Sequence, residues 1–396
     1  MENTLLAQRL RHLVIFKTLR TEPLIRALTE LLAAEEEERP GRVCDLAAEL
    51  YPRGTDLHRA VADLLQKDDN FCVRERAAGR GLAPQAQAWL EEELRTLEEA
   101  VRATGSLQGA GLPAWDTLGQ PFGVLYEQTL ALSPLRGCGV FSQYHVFSVS
   151  AHGELEPIEH PDPQRLSELY GYETQRQKLL DNTRALLRGL PANNVLLYGD
   201  AGTGKSSVVK ALVNEYQEEG LRLIQVEKSR LRHIPALLDS LGANPLKFIL
   251  FIDDLSFASV DQDFTALKTV LEGSVAARSG NIVVYATSNR RHLVQESFQS
   301  RQGDEIHLSD TLEEVASLSA RFGIMLTFNK PGKDLYLKVT ARLAQRYGLE
   351  LPEDVLFREA EAFALRAGGR SPRVARQYVE DRIVMNDAQN RDLQRK

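Results

Sequence analysis

Apolar residues recur along the chain with two different periods, and the change of period divides it. From Leu5 to Leu32 they fall at helical spacing (Leu10, Leu13, Val14, Phe16, Leu19, then Leu24, Ile25, Leu28, Leu31, Leu32), which predicts helix broken near Pro23. Glu35–Glu38 followed by Arg39-Pro40-Gly41 reads as a solvated helix end and a loop. Asp45–Leu50, Asp56–Leu65 and Pro84–Val101 carry further amphipathic patterns, the glycines and prolines of Gly105–Gly123 mark a loop, and Tyr126–Leu132 predicts a short helix. Val140–Val149 alternates enough to predict a strand. Residues 1–155 thus read as a mostly helical accessory domain, in which His145 and His152 stand alone and no catalytic constellation occurs.

Past the proline-rich connector Glu156–Pro163 the rhythm changes. A helix after Tyr172 runs to about Leu187. Short continuous apolar runs then follow at Val195–Tyr198, Leu221–Val226, Phe248–Ile252 and Ile282–Ala286. Between them lie helical segments after Lys205, at Ile234–Leu241 and at Asp263–Leu271. Continuous apolar strands alternating with helices predict an α/β fold whose parallel sheet is covered on both faces. Ligands of such sheets sit at the carboxyl ends of the strands, so the residues just after each run carry the chemistry.

After the first run comes Gly199-Asp200-Ala201-Gly202-Thr203-Gly204-Lys205-Ser206, which matches G-x-x-x-x-G-K-[ST] at every fixed position, with Ser207 next in the helix. Gly199, Gly202 and Gly204 let the backbone take positive φ and turn its N–H groups around a phosphate chain. The helix adds its positive N-terminal end. Lys205 can reach β- and γ-phosphates, and the Ser206 hydroxyl can ligate Mg²⁺. The segment therefore predicts a site for a nucleoside triphosphate. After Phe248–Ile252 stand Asp253 and Asp254: the first is placed to hold Mg²⁺, the second to polarise an attacking water, while both also suit a helix cap. After Ile282–Ala286 stands Thr287-Ser288-Asn289-Arg290-Arg291. Asn289, with Ser288 second, can orient water against a γ-phosphate, although Ser/Asn turns after strands are common.

Composition narrows the setting. With 396 residues, 43% hydrophobic and 26% charged, the chain has material for two or three globular domains. A net charge of −7 advertises no polyanion partner overall. Cys44, Cys72 and Cys138 form no Cys-x-x-Cys or Cys/His cluster, which fits a reducing compartment. No apolar run approaches the roughly 18 residues that cross a bilayer, and the N-terminus does not resemble a cleavable signal. The expectation is a cytoplasmic protein without a membrane segment.

Phosphate loop, apolar strand with a terminal acidic pair, and strand ending in Asn, in this order, resemble the AAA+ ATPases over about Leu166–Asn386. The phrases ANNVLLYGDAGTGKSSVVKAL, FILFIDDLSF and GGRSPRVARQYV resemble most a bacterial group of predicted AAA+ ATPases catalogued as a domain of unknown function. The resemblance implies a five-stranded parallel core at 156–330 and a helical lid at 331–396, built from Asp334–Gly348, Glu353–Leu365 and Pro372–Met385. It implies ATP and Mg²⁺ as ligands, with hydrolysis to ADP and phosphate in a homo-oligomer. By the same resemblance Arg321, ahead of the last core strand Ile324–Phe328, is the arginine finger, with Arg301 as rival. Arg373 senses the nucleotide from the lid, with Arg370 as runner-up, behind Ser371 as helix cap. Tyr172, with Tyr170, holds the adenine. The partner, protein or nucleic acid, is not identified. Three departures stand out: Asp254 where the family has Glu, about 30 residues between Asn289 and Arg321, and Glu227-Lys228-Ser229-Arg230 where a pore loop would lie. The first points to slow hydrolysis or an ATP-gated scaffold, the second to a partner-contacting insertion, and the third away from peptide threading. A nucleic-acid loader is the other reading, drawing on Arg366, Arg370, Arg373, Arg376 and Arg290-Arg291.

Overall fold

The computed structural model describes residues 2–109, 111–255, 280–289 and 321–394, with 267 and 271, and side chains only to residue 386 near the C-terminus. The predicted helix Asp263–Leu271, Arg290, Arg291, Arg301 and the insertion around Glu296–Leu318 lie wholly or mostly outside the described residues. The chain divides into two compact units, Met1–Tyr144 with Asn244–Leu246, and His145–Ala243 with Lys247–Lys396.

The first unit is helical: α1 Glu2–Arg11, α2 Pro23–Ala33, α3 Arg39–Leu50, α4 Leu57–Lys67, α5 Phe71–Ala77, α6 Pro84–Thr104, α7 Phe122–Arg136 and α8 Val140–Gln143. The apolar faces of α1 to α7 share one core that includes Leu10, Phe16, Leu28, Leu46, Leu97 and Tyr126. The buried Glu93 carboxylate accepts from the backbone N–H groups of Val14, Ile15 and Phe16 after α1, satisfying donors that burial would otherwise strand. Arg39-Pro40-Gly41 opens α3 rather than forming a loop, because proline suits a first helical turn. The predicted Tyr126–Leu132 helix extends over all of α7. Seven-residue α5, too short to show a period, is fixed by Asn70, whose Oδ1 accepts the Val73 N–H at 3.1 Å. The expected Val140–Val149 strand begins as the helical turn α8; only Val146–Val149 extends.

That extended piece, β1, starts the second unit and forms a hairpin with β2 (Leu155–Pro157). Because β1 pairs in parallel with β4 (Leu221–Gln225), the units part at Tyr144/His145, ahead of the 155/156 boundary read from the sequence. The sheet continues through β5 (Lys247–Ile252), β6 (Ile282–Ser288), β3 (Val195–Gly199) and β7 (Ile324–Phe328). Its order is β2-β1-β4-β5-β6-β3-β7, parallel except for β2. The five parallel strands expected are thus widened to seven, since β1 and β2 extend the edge at β4. Helices α9 (Glu173–Leu187), α10 (Lys205–Tyr216) and α11 (Ile234–Leu241) belong to this unit. Tyr285 of β6 lies fully buried, its hydroxyl bonded to Asn182 and Thr183 of α9.

Three further helices, α12 (Lys333–Arg346), α13 (Glu353–Arg366) and α14 (Pro372–Gln394), pack around Tyr336, Leu343, Ala360 and Val379 in a core of their own. Ser371 Oγ accepts the Val374 N–H at 3.2 Å, capping α14 with Pro372 behind it. These three helices occupy the segment expected to form a helical lid, and the unit as a whole is α/β, a mostly parallel sheet with helices.

Candidate nucleotide site

β3 delivers its last residue, Gly199, into a loop that closes on α10. Gly199, Gly202 and Gly204 have φ of +135°, +75° and +94°. Two of these glycines also permit close approach: a Cβ on Gly199 would lie 2.2 Å from the Phe328 carbonyl oxygen of β7, and one on Gly202 3.2 Å from Ser371 Oγ of the lid. Beside Gly204 the space is open.

Lys205 is nearly buried, and its ammonium has three donors with three acceptors: Gly199 O at 3.0 Å, Asp200 O at 2.8 Å and Asn289 Oδ1 at 2.9 Å. Burial holds its pKa below the ordinary value, opposed by the carboxylates of Asp200, Asp253 and Asp254 and reinforced by Arg373. The Asn289 amide nitrogen donates to Asp254 Oδ1 at 2.7 Å, so the first residue of α10 and residues just after β5 and β6 join in one line. Beside them Ser206 Oγ donates to Asp253 Oδ1 at 2.6 Å. Two hard oxygens so close suit Mg²⁺, which keeps waters and borrows phosphate oxygens rather than demanding a full protein cage. Asp253 and Ser206 are the residues that would hold it.

The structure brings together Gly199–Ser206, Asp253, Asp254 and Asn289 at one end of the sheet. Asp200 sits here but turns its carboxylate elsewhere, accepting the Lys330 backbone N–H at 2.6 Å. Ala201, Thr203 and Ser207 complete the loop and first turn, with Thr203 Oγ1 closing on Asp200 O at 2.9 Å. Tyr172 caps α9 with φ +56°, packs on Phe328 with ring centroids 4.9 Å apart, and donates to Asn329 O at 2.6 Å. Burial pushes its phenol up to about 12. A pocket beside it is lined by Tyr170, Thr203, Gly204 and Val208 and, from the lid, by Val339, Leu343 and Pro372. Arg373 meets the loop directly, its N–H donating to Gly202 O at 3.3 Å. Arg370 is engaged differently, by a two-point pair with Glu361 at 2.8 and 2.6 Å. Arg321 is not part of this cluster: it precedes β7, and Ile324 pairs with Val195, the far end of β3 from the loop. The sequence reading missed Thr287, whose hydroxyl donates to Asp253 Oδ1 at 2.6 Å. Only its place after an apolar strand could have flagged it.

Residues 142–385, more than half of the chain, match the model of the family described as "Protein of unknown function (DUF815)". The chain belongs to the DUF815 family. This DUF815 chain is also 27% identical over 119 residues to the replication factor C large subunit of Staphylothermus marinus, covering 28% of itself and 27% of that relative. Among solved structures it is similar to the Thermotoga maritima RuvB Holliday junction branch migration motor, with 19% identity and a TM-score of 0.39 over 55% of this chain and 63% of that one. The FIGL-1 AAA domain in complex with ADP gives 18% identity and a TM-score of 0.39 over 55% and 72%. The chain thus spans about a quarter of the replication factor subunit and less than two thirds of RuvB. No helix among the described residues is long and apolar enough to cross a membrane.

Proposed function

We propose that this DUF815 chain binds Mg²⁺–ATP on the phosphate loop and hydrolyses it to ADP and phosphate, using the cycle to move its lid and accessory domain against a partner. The observation that carries the reading is the line Lys205–Asn289–Asp254 lying beside the Ser206–Asp253 pair. Phosphate oxygens replace loop carbonyls as acceptors for Lys205, and the N–H groups of Gly199–Ser207 surround the phosphate chain. Ser206 and Asp253 would hold Mg²⁺, which would supply positive charge beside the phosphates. Asp254 takes the proton of the attacking water, and Asn289 orients that water. Tyr172 packs against the adenine, and Arg373 meets the phosphates from the lid.

Arg321 acts in this reading on a neighbouring subunit's γ-phosphate. Four residue steps of β3 separate its end of the sheet from the phosphate loop, about 13 Å of strand, too far for its own site. A finger supplied in trans requires a head-to-tail interface, hence a ring or a spiral of identical chains.

A slower, switch-like cycle has its own support. Asp254 is shorter than glutamate by one C–C bond, about 1.5 Å, and misplacement on that scale can cost ~10²-fold in rate. Its carboxylate is also already engaged by Asn289. Nucleic acid stays among the partner classes through the name of the replication factor relative, although Glu361 has claimed one lid arginine. Phosphate contacts would appear as binding that weakens steeply with salt.

The test is phosphate release and nucleotide retention in Lys205→Ala and Asp254→Asn. Lys205→Ala should lose nucleotide, whereas Asp254→Asn should keep ATP uncleaved, with turnover down by ~10²-fold or more. Asp254→Asn turning over like the parent chain would remove Asp254 from the reaction.

A further inference from the structure

Thr287, the next-to-last residue of β6, is 2% exposed, and its hydroxyl and backbone carbonyl are both committed to the acidic turn opposite. Its hydroxyl donates to Asp253 Oδ1 at 2.6 Å and accepts the Asp254 backbone N–H at 2.9 Å. Its carbonyl accepts the Leu255 N–H at 2.6 Å. A hydroxyl has one proton and two lone pairs, so donation to Asp253 and acceptance from Asp254 are compatible and mutually orienting. Asp253 Oδ1 receives a second donor, Ser206, but Ser206 belongs to the phosphate loop itself. Thr287 is the donor that comes from the sheet.

The turn needs such a hold. Asp254 has φ +55°, one of two positive-φ non-glycine residues among those described. An L-residue in the left-handed region persists where its surroundings over-determine it. Here the Thr287 hydroxyl and carbonyl grip the backbone on both sides of Asp254 while Asn289, two residues along, takes its carboxylate.

Resting on the Mg²⁺–nucleotide reading above, we propose that Thr287 is a positioning residue that sets the metal-facing carboxylate and the water-facing carboxylate together. One hydroxyl aims Asp253 and, through the Asp254 N–H, fixes the turn from which Asp254 projects. Metal affinity and cleavage are therefore tied to the same side chain, although Thr287 touches neither ion nor nucleotide.

The experiment uses the full chain with Thr287→Val, which keeps the branched shape and removes the hydroxyl, and Thr287→Ser, which keeps the hydroxyl. Three quantities are read: ADP binding in EDTA, Mn²⁺ affinity of the ADP-loaded protein by electron paramagnetic resonance, and phosphate release. Thr287→Val should bind ADP in EDTA like the parent chain, take Mn²⁺ more weakly by roughly 10-fold to 100-fold, and release phosphate more slowly. Thr287→Ser should restore Mn²⁺ affinity. Because Thr287→Val can also loosen the fold, a pairing with Asp253→Asn separates the causes: in that background Thr287→Val should lower Mn²⁺ affinity no further. Parental Mn²⁺ affinity in Thr287→Val, or equal weakening in Thr287→Ser, would overturn the positioning role and leave the nucleotide reading intact. A parent chain that bound no ADP in EDTA would overturn both.

Discussion

Lys205 and Asn289 are hydrogen-bonded, Nζ to Oδ1, at 2.9 Å, and the same amide turns its nitrogen to Asp254. Asn289 is thus the joint between the cation of the phosphate loop and the carboxylate after β5. Replacing it with alanine removes a positioned donor and breaks both bonds. Asn289→Ala should retain nucleotide binding within a few-fold while phosphate release falls by ~10²-fold, the usual scale for one lost donor at a reacting centre. Steady-state turnover with filter-retained nucleotide separates these effects. A variant impaired in binding alone would make Asn289 a support for Lys205 and nothing more.

The depressed pKa of Lys205 gives a pH dependence with a definite sign. Its folded value lies below the ordinary 10.5, chiefly through burial, so the unfolded chain holds that proton more tightly. Folding stability therefore carries the penalty at neutral pH and recovers it as pH rises between the two values. Nucleotide binding moves the other way, since phosphates need the ammonium. Affinity for a fluorescent ADP analogue should decline on the alkaline side before pH 10.5 is reached. Lys205→Arg, which stays charged there, should bind with different strength but without that decline. An equally steep alkaline loss in Lys205→Arg would assign the titration to another group.

Arg321 lies at the wrong end of β7 to serve its own phosphate loop, which makes mixing decisive. Arg321→Ala should bind nucleotide normally and lose hydrolysis by ~10³-fold or more, as trans-acting arginines do. Blending it with Lys205→Ala should recover part of the activity, because the second variant donates an intact arginine to the first variant's intact loop. No recovery, with both variants assembled, would send the assignment to another residue.

Gly199 and Gly202 allow a graded test of the loop. Both have positive φ, a strain of about 1–3 kcal/mol for alanine. At Gly199 the new Cβ also meets a backbone carbonyl at 2.2 Å, whereas at Gly202 it meets a rotatable serine hydroxyl at 3.2 Å. Gly199→Ala should therefore lower the melting temperature clearly more than Gly202→Ala. Gly202→Ala should chiefly weaken nucleotide affinity, since Ser371 and Arg373 must give way. Equal melting temperatures would mean that β7 can retreat from the loop.

What could be seen in advance was whatever is written in contiguous residues. The phosphate loop, the run Phe248–Ile252 and the helix Ile234–Leu241 each state their structure within a dozen positions, and the structure places them as expected. The hairpin of β1 and β2 was hidden because three residues ending in Pro157 show no period; it exists through pairing with β4, far along the chain. Arg370 stood as runner-up to Arg373, and nothing in the sequence pattern marks its pairing with Glu361 of α13. Thr287 stood among equally polar neighbours, and only the turn at Asp253–Leu255 distinguishes it. The accessory helices were legible as a class but not in their ends, which depend on caps such as Asn70 and on the buried Glu93.

Phe328 at the end of β7 and the two residues that follow it are each held by part of the site. Phe328 O accepts from Asp200 N at 2.9 Å, Asn329 O from Tyr172, and Lys330 N donates to the Asp200 carboxylate. Lys330 then reaches the Gly368 carbonyl at 3.4 Å, just ahead of Arg370–Arg373. A lever mounted this way has its pivot inside the grip it operates. In the proposed cycle, a tilt of the three lid helices tugs at Asp200 and Tyr172, and a resettling of those two residues swings the lid.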